Sequence, residues 1–112
     1  MSDVQARRVP RRTFEQPVGI LARGSYFTGK SLQVGEGGMH LATEFILEMD
    51  QLIVVSFQVP NGSLISVRGK VRYVKKEQNG LHVGLHFENL DFQYKRELRN
   101  FVSAATQASI FA

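Results

Sequence analysis

The chain has 112 residues, of which 43% are hydrophobic and 21% charged, with a formal net charge of +4. This balance is typical of one soluble globular domain, and the small positive excess argues against a wholly basic surface. The absence of cysteine excludes disulfides and thiolate metal sites, and the lack of an apolar N-terminal segment or of a run of ~20 apolar residues predicts a cytoplasmic protein without membrane insertion.

Residues 1–14 are predicted to form a flexible basic arm. They are polar and charged, and Pro10 disfavours a regular element. The arm contains four arginines, which match the whole formal excess of +4: Arg7, Arg8, Arg11 and Arg12. Guanidinium groups form paired hydrogen bonds with phosphate oxygens and with the O6/N7 edge of guanine. The arm is therefore a candidate for binding a planar anionic ligand, the alternative being a solvated tail that contacts polyanions weakly.

The segment 15–106 is predicted to be the folded unit, followed by a tail over residues 107–112. Apolar and polar residues alternate along it, with turn signals at Gly24-Ser25, Pro60-Asn61-Gly62 and Asn79-Gly80. Residues 43–50 are predicted to be a loop. About six short strands at this spacing predict an antiparallel barrel or sandwich. The strictest alternation places five residues on one core face: Ile65, Val67, Gly69, Val71 and Tyr73.

The hydrophobic period changes after Asp91, which suits a helix N-cap. The sequence therefore predicts an all-β fold with a C-terminal α-helix over residues 91–105 that covers an open side or end of the barrel. Residues spaced as on one face of an amphipathic helix are Tyr94, Leu98, Phe101, Val102 and Ala105.

A glycine-rich turn, Gln33-Val34-Gly35-Glu36-Gly37-Gly38, follows the arm by about twenty residues. Its glycines either adopt the positive φ of a hairpin turn or let the backbone approach a ligand closely. The Gln33 amide is the nearest group that donates and accepts hydrogen bonds.

No constellation of catalytic residues is evident, so we expect a binding protein rather than an enzyme. His82 and His86 are four residues apart, which on a strand separates them by about 13 Å. That distance is too long for both to bind one metal ion. Neither a metal nor a cofactor is predicted.

Arg7-x-x-x-Arg11 or Arg8-x-x-x-Arg12, followed by the glycine-rich turn, resembles the PilZ domain family. That family has an RxxxR motif and a [D/N]xSxxG motif on a six-stranded antiparallel β-barrel with a C-terminal helix, and its typical members bind cyclic di-GMP. The segment Val83-Gly84-Leu85-His86-Phe87 is similar to the family's later strand signature. The spacing to the first strand favours the Arg7/Arg11 register slightly, and both registers stay open.

The resemblance implies cyclic di-GMP as the ligand. The arginines would bind phosphate and guanine, Gln33 would contact a guanine, and two glycines would allow close approach, so the implied ligand-binding residues are Arg7, Arg8, Arg11, Arg12, Gln33, Gly35 and Gly38. Gln33 replaces the family's Asp or Asn, and Gly35 replaces its Ser. The lost hydroxyl hydrogen bond is worth ~0.5–1.5 kcal/mol, which weakens binding without abolishing it.

Three functions follow as hypotheses. The first is a cyclic di-GMP receptor or adaptor, monomeric or weakly dimeric, that changes its surface to regulate an effector protein in a motility or biofilm-type output. The second is a degenerate PilZ module that binds protein and no nucleotide, which Gln33, Gly35 and the apolar Ile110-Phe111 favour. The third is a nucleic-acid-binding barrel that uses Arg68, Lys70 and Arg72; it is the least favoured, because Tyr73 and Phe87 are assigned to the core.

Overall fold

The computed structural model describes the backbone of residues 10–111 and the side chains of residues 10–104. Seven strands precede a long C-terminal helix in this part of the chain. Their bounds are β1 Arg12–Thr13, β2 Pro17–Ala22, β3 Ser25–Val34, β4 Gly38–Thr43, β5 Leu52–Gln58, β6 Leu64–Glu77, β7 Gly80–Glu88 and α1 Phe92–Phe111. None of the described helical segments is long and apolar enough to cross a membrane.

Strands β2 to β7 close into a barrel in the order β2-β3-β4-β7-β6-β5, and every pairing is antiparallel. Tight turns make this possible: Arg23 (φ 51°) and Gly24 (φ 76°) form the β2–β3 connection, whose left-handed backbone matches the strand twist. The six-stranded antiparallel barrel with a C-terminal helix is therefore confirmed. The short β1 lies outside this barrel and pairs with the end of β3.

The core forms because alternate strand residues point into the barrel. Fully buried side chains from several strands meet there, and the loop between β4 and β5, which is predicted correctly as irregular, adds the buried Leu47. Helix α1 contributes Leu98 and Val102 from the predicted face. The largest fully buried side chains include Phe57, Ile20, Leu41, Ile53 and Ile65.

Two carboxylates anchor the N-terminal part of α1. Asp91 caps the helix, since its Oδ1 accepts a hydrogen bond from the Gln93 N–H at 3.2 Å. Glu97 joins the helix to the β5–β6 turn, because its carboxylate accepts from the N–H (2.7 Å) and the hydroxyl (2.6 Å) of Ser63. The backbone stays helical to Phe111, beyond the predicted end at residue 105 and through most of the predicted tail.

The predicted flexible arm differs from the structure at its C-terminal end. Arg12 and Thr13 form β1, and Phe14 is only 4% exposed. The Phe14 ring makes edge-to-face contacts with Phe57 and Phe101, at centroid distances of 6.1 and 5.5 Å. The arm is thus tied to the barrel and to α1 by a buried aromatic residue that the polar composition around it concealed.

Tyr73 is a second correction. The alternation along β6 predicts a core position, but Tyr73 is 46% exposed. The pairing with β7 shifts register between Val71 and Tyr73, so a β-bulge turns the following residues over. Val74 then becomes the residue that packs against the core.

Candidate ligand-binding site

The arm and the glycine-rich turn, which are distant in sequence, lie side by side in the fold. Arg12 pairs with Val34 and Thr13 with Gln33. The Phe14 N–H donates to the Leu32 carbonyl at 2.9 Å, which continues the ladder. The second half of the RxxxR segment therefore runs antiparallel to the strand that leads into the turn. Arg7 and Arg8 lie outside the described residues.

Successive arginines of the arm have different surroundings. The Arg12 guanidinium donates to the Phe101 carbonyl of α1 at 2.9 Å and stacks over the Phe101 ring, with its central carbon 4.0 Å from the ring centroid. Arg11 is exposed, and its side chain passes over Gly35. Because neighbours on an extended chain point in opposite directions, Arg12 faces the helix and Arg11 faces the turn.

A glycine is needed at Gly35 because the arm lies directly against it, and not because the backbone there has a positive φ. Among the described glycines, only Gly24 and Gly80 have positive φ, so the expected positive φ of a hairpin turn is absent at Gly35 and Gly38, although these residues do join β3 to β4. A Cβ on Gly35 would lie 2.6 Å from the Pro10 carbonyl oxygen and 3.4 Å from the Cγ of Arg11. A serine here, as in the family motif, would have to displace the arm from this position.

Gly38 is also a close-approach position, but its neighbour is the barrel. A Cβ there would collide with the Leu85 carbonyl of β7. The turn is held to the same strand by the Phe87 N–H, which donates to the Gly37 carbonyl at 2.9 Å, and is closed by a Gly35 N–H to Gly38 carbonyl bond of 3.0 Å. The retained glycine of the motif therefore keeps the turn packed on β7.

Glu36, at the tip of the turn, forms a bidentate ion pair with Arg99 of α1. The Arg99 Nε and Nη2 donate to its carboxylate oxygens at 2.9 and 3.1 Å. The hydrogen bond with Arg99 is the main cause that lowers the pKa of Glu36. This pair binds the turn to the helix, and it neutralises a carboxylate that would otherwise repel an anion at the turn.

The Glu36–Arg99 pair predicts an acid-sensitive contact. A carboxyl whose folded pKa is lowered stabilises the fold above its unfolded pKa, and that stabilisation is lost as the pH falls through the folded pKa. We expect wild type to lose more of its free energy of unfolding than Glu36→Gln between about pH 7 and pH 3. Urea denaturation across this range measures the difference, and parallel pH profiles for the two proteins would contradict the prediction.

A row of outward-facing residues continues from the arm across the barrel. Thr13 pairs with Gln33, Gln33 with His40, His40 with Gly84, and Gly84 with Tyr73. The His40 and Tyr73 rings meet edge to face at 5.6 Å. Gly84 leaves room for the phenol, because a Cβ there would lie 3.1 Å from the Cβ of Tyr73. The face beside Gln33 thus carries an exposed aromatic ring.

His40 and Tyr73 are the residues of this face that sequence reasoning missed. Tyr73 was assigned to the core by strict alternation, and the signal against that assignment is the apolar Val74 directly after it. Two adjacent large apolar residues in an alternating strand indicate a bulge. His40 gives no local signal, because only the β3–β4 and β4–β7 pairings place it next to Gln33 and Gly84.

The two strand histidines do not share a site. His82 pairs with Lys75 and lies 3.4 Å from the Glu77 carboxylate, whereas His86 is exposed and pairs with Lys70 and Gly38. Within the described residues, no group of three or more His, Asp or Glu side chains is placed to hold a metal ion.

Several solved structures have this architecture. The chain aligns with MotI/DgrA, the inhibitor of motility of Bacillus subtilis, at a TM-score of 0.83 and 12% identity over 91% of this chain and 52% of that one. It aligns with the PilZ domain of Escherichia coli YcgR, solved with c-di-GMP, at 0.72 and 11% identity over 92% and 93% of the two chains. The K. pneumonia MrkH–c-di-GMP complex gives 0.72 and 15% identity over 92% of this chain and 53% of that one.

The chain therefore spans about half the length of the MotI/DgrA and MrkH chains. No match was found among curated proteins. At these identities the structural neighbours establish the fold. The family model for the PilZ domain matches residues 5–104, which include both motifs, the whole barrel and the anchored part of α1. The chain belongs to the PilZ domain family.

Proposed function

We propose that this protein is a bacterial, cytoplasmic cyclic di-GMP receptor that regulates a partner protein, as a binding module without catalysis. The observation that carries the proposal is the pairing of the arm with the motif strand, which brings Arg11 over Gly35 and Thr13 beside Gln33. Support also comes from neighbours of the same fold that were solved with c-di-GMP.

In this proposal Arg11, rather than Arg12, is the described arginine that contacts the nucleotide. Arg11 lies on the side of the glycine-rich turn, whereas the guanidinium of Arg12 is engaged by Phe101. This favours the Arg7/Arg11 register of the motif. Gln33 supplies an amide for a guanine edge, and Tyr73, three strands further along the row, offers a ring face for stacking.

The contacts of α1 suggest how binding alters the surface. The helix holds the arm through Arg12 and the turn through Arg99, so both halves of the proposed site are tied to one element. A ligand that draws in the arm competes with the Arg12–Phe101 contacts. We propose that nucleotide binding changes the position of α1, and that a partner responds to this change.

The alternative is a PilZ module that binds protein without nucleotide. One observation favours it: the Arg12 guanidinium already has a partner, the carbonyl and ring of Phe101. The nucleic-acid alternative gains an exposed aromatic ring from Tyr73, which lies on the same strand as Lys70 and Arg72.

Calorimetric titration with cyclic di-GMP tests the proposal. We expect binding in the micromolar range or tighter, and a loss of about 10- to 100-fold in affinity for Arg11→Ala, since a paired guanidinium contact to phosphate is removed. Arg96→Ala is the matched control, because it removes the same charge from the start of α1, where Arg96 packs over Phe92. We expect it to bind like wild type.

Hydrogen exchange of the α1 amides, with and without nucleotide, tests the coupling to the helix. Faster or slower exchange on binding supports it, and unchanged exchange contradicts it. Absence of binding heat at high nucleotide would overturn the receptor proposal and favour the protein-binding module. A single-stranded oligonucleotide that binds with a steep salt dependence, while cyclic di-GMP does not bind, would instead favour the nucleic-acid alternative.

A further inference from the structure

A second surface lies on the outward face of β3, β2 and β5, and it continues onto β6, where only His86 separates Lys70 from Gly38 of the glycine-rich turn. The register places five outward residues in one row across β3, β2, β5, β6 and β7, with Tyr26 opposite Leu21, Leu21 opposite Val54, Val54 opposite Arg68 and Arg68 opposite Glu88. Leu52 lies on the same face of β5, two residues before Val54, and pairs with Lys70. We call Tyr26, Leu21, Val54 and Leu52 the apolar patch.

The apolar patch is exposed to an extent that a barrel exterior does not require. Tyr26 is 69% exposed, Leu52 50% and Leu21 46%. The hydroxyl end of Tyr26 lies over Gly19, so the ring reaches across to β2 and extends the patch. Single exposed apolar side chains are ordinary, but a set that is continuous through direct cross-strand neighbours indicates an interaction surface.

Cations border the patch on one side. Arg68 and Lys70 follow Val54 and Leu52 across the sheet, and within residues 10–104 neither has an ion pair. The neighbouring Arg72 is 3.7 Å from Asp50, with both side chains mostly exposed. Beside the patch, an occupant would therefore meet Arg68 and Lys70 with one carboxylate of the row, Glu88, which lies opposite Arg68 without an ion pair among the described residues.

The cations beside the apolar patch indicate whether a second copy of the chain or a different protein covers it. A second copy of the chain would bring the same apolar patch and the same two cations, and the one carboxylate that it carries in this row, Glu88, already lies opposite its own Arg68. A different protein with apolar side chains beside carboxylates would bury the apolar patch and would also supply carboxylates to Arg68 and Lys70. We propose that the apolar patch and its basic border bind an acidic, amphipathic segment of a different protein. This site adjoins the proposed nucleotide site through Lys70 and His86, but its apolar patch lies beyond Lys70, so binding is expected without nucleotide.

The probe is a synthetic amphipathic helical peptide of leucine and glutamate, titrated into the isotope-labelled, nucleotide-free chain. We expect amide shifts centred on β2, β5 and β6. The double variant Leu21→Ser/Leu52→Ser and, separately, Arg68→Glu should each weaken binding by at least about tenfold. Leu64→Ser is the matched control, because Leu64 is 64% exposed but opposite Gln58 at the far end of the β5–β6 pair. It should leave binding unchanged.

Several outcomes would overturn the proposal. These are the absence of shifts, equal binding of a leucine–lysine peptide, or shifts produced by phosphatidylglycerol vesicles and not by the peptide, which would indicate a membrane surface. Dimerisation on sedimentation that Leu21→Ser/Leu52→Ser abolishes would show that a second copy is the occupant. Because the titration omits nucleotide, failure here leaves the cyclic di-GMP result unaffected, and failure of cyclic di-GMP binding leaves this result unaffected.

Discussion

Gly38→Ala is expected to lower the free energy of unfolding by about 3 kcal/mol, an effect at the upper end for an added methyl group. The new Cβ would point at the Leu85 carbonyl, which belongs to the β7 backbone. Backbone in a paired strand cannot rotate away as a side chain does. The β4–β7 pairing, in which Gly38 lies opposite His86, has to separate locally to make room.

Gly69→Ala is the matched control for Gly38→Ala. Gly69 is a buried glycine on β6, and its added Cβ would lie 3.6 Å from the Leu85 side chain, an ordinary van der Waals contact. We expect a change of less than about 1 kcal/mol, with either sign. Urea denaturation of both variants gives the comparison. Equal stabilities would show that the β7 backbone yields easily and that Gly38 is not a packing requirement.

Phe14→Ala is expected to cost about 3–4 kcal/mol of unfolding free energy, as is usual for a buried phenylalanine. The ring is 4% exposed and contacts Phe57 of the barrel and Phe101 of α1. Its removal opens a cavity where the arm, β5 and α1 meet. Because Phe14 anchors the arm on which Arg11 is positioned, affinity for cyclic di-GMP should also fall under conditions where the barrel stays folded.

The control for Phe14→Ala is Phe92→Ala. Phe92 is 62% exposed at the start of α1, so its truncation should change stability by less than about 1 kcal/mol and leave nucleotide affinity unchanged. Thermal unfolding and calorimetry measure both effects. If Phe14→Ala has the same unfolding free energy as wild type, the prediction that Phe14 anchors the arm is wrong. If it is destabilised but binds with wild-type affinity, the arm is held at the nucleotide site by other contacts.

These two substitutions separate the structural and ligand-binding roles of the motifs. Gly38 and Phe14 have strong packing explanations that need no nucleotide. Gly35 differs, because its space is taken by Pro10 and Arg11 of the arm. The departure from serine at Gly35 is therefore compatible with an arm that rests directly on the turn, and the missing hydroxyl is not by itself a sign of lost binding.

Much of the fold was readable from local patterns. Strands β5, β6 and β7, the turns that join them and the Asp91 cap all depend on residues close together in sequence, so alternation and turn chemistry identify them. The predicted helix face is confirmed at Leu98 and Val102, because burial on one side of a helix follows its 3.6-residue period. The family assignment is likewise confirmed, since its motifs are linear.

Local sequence patterns and linear motifs were thus sufficient to predict the barrel, the helix and the family. Long-range pairing determined the rest. The bulge that exposes Tyr73 is a property of the β6–β7 register, the burial of Phe14 depends on α1 returning to the arm, and the opposite roles of Arg11 and Arg12 depend on β1 pairing with β3. Apart from the adjacent Tyr73 and Val74, which hint at the bulge, no short stretch of sequence indicates these features, because each depends on contacts between segments that only the folded chain brings together.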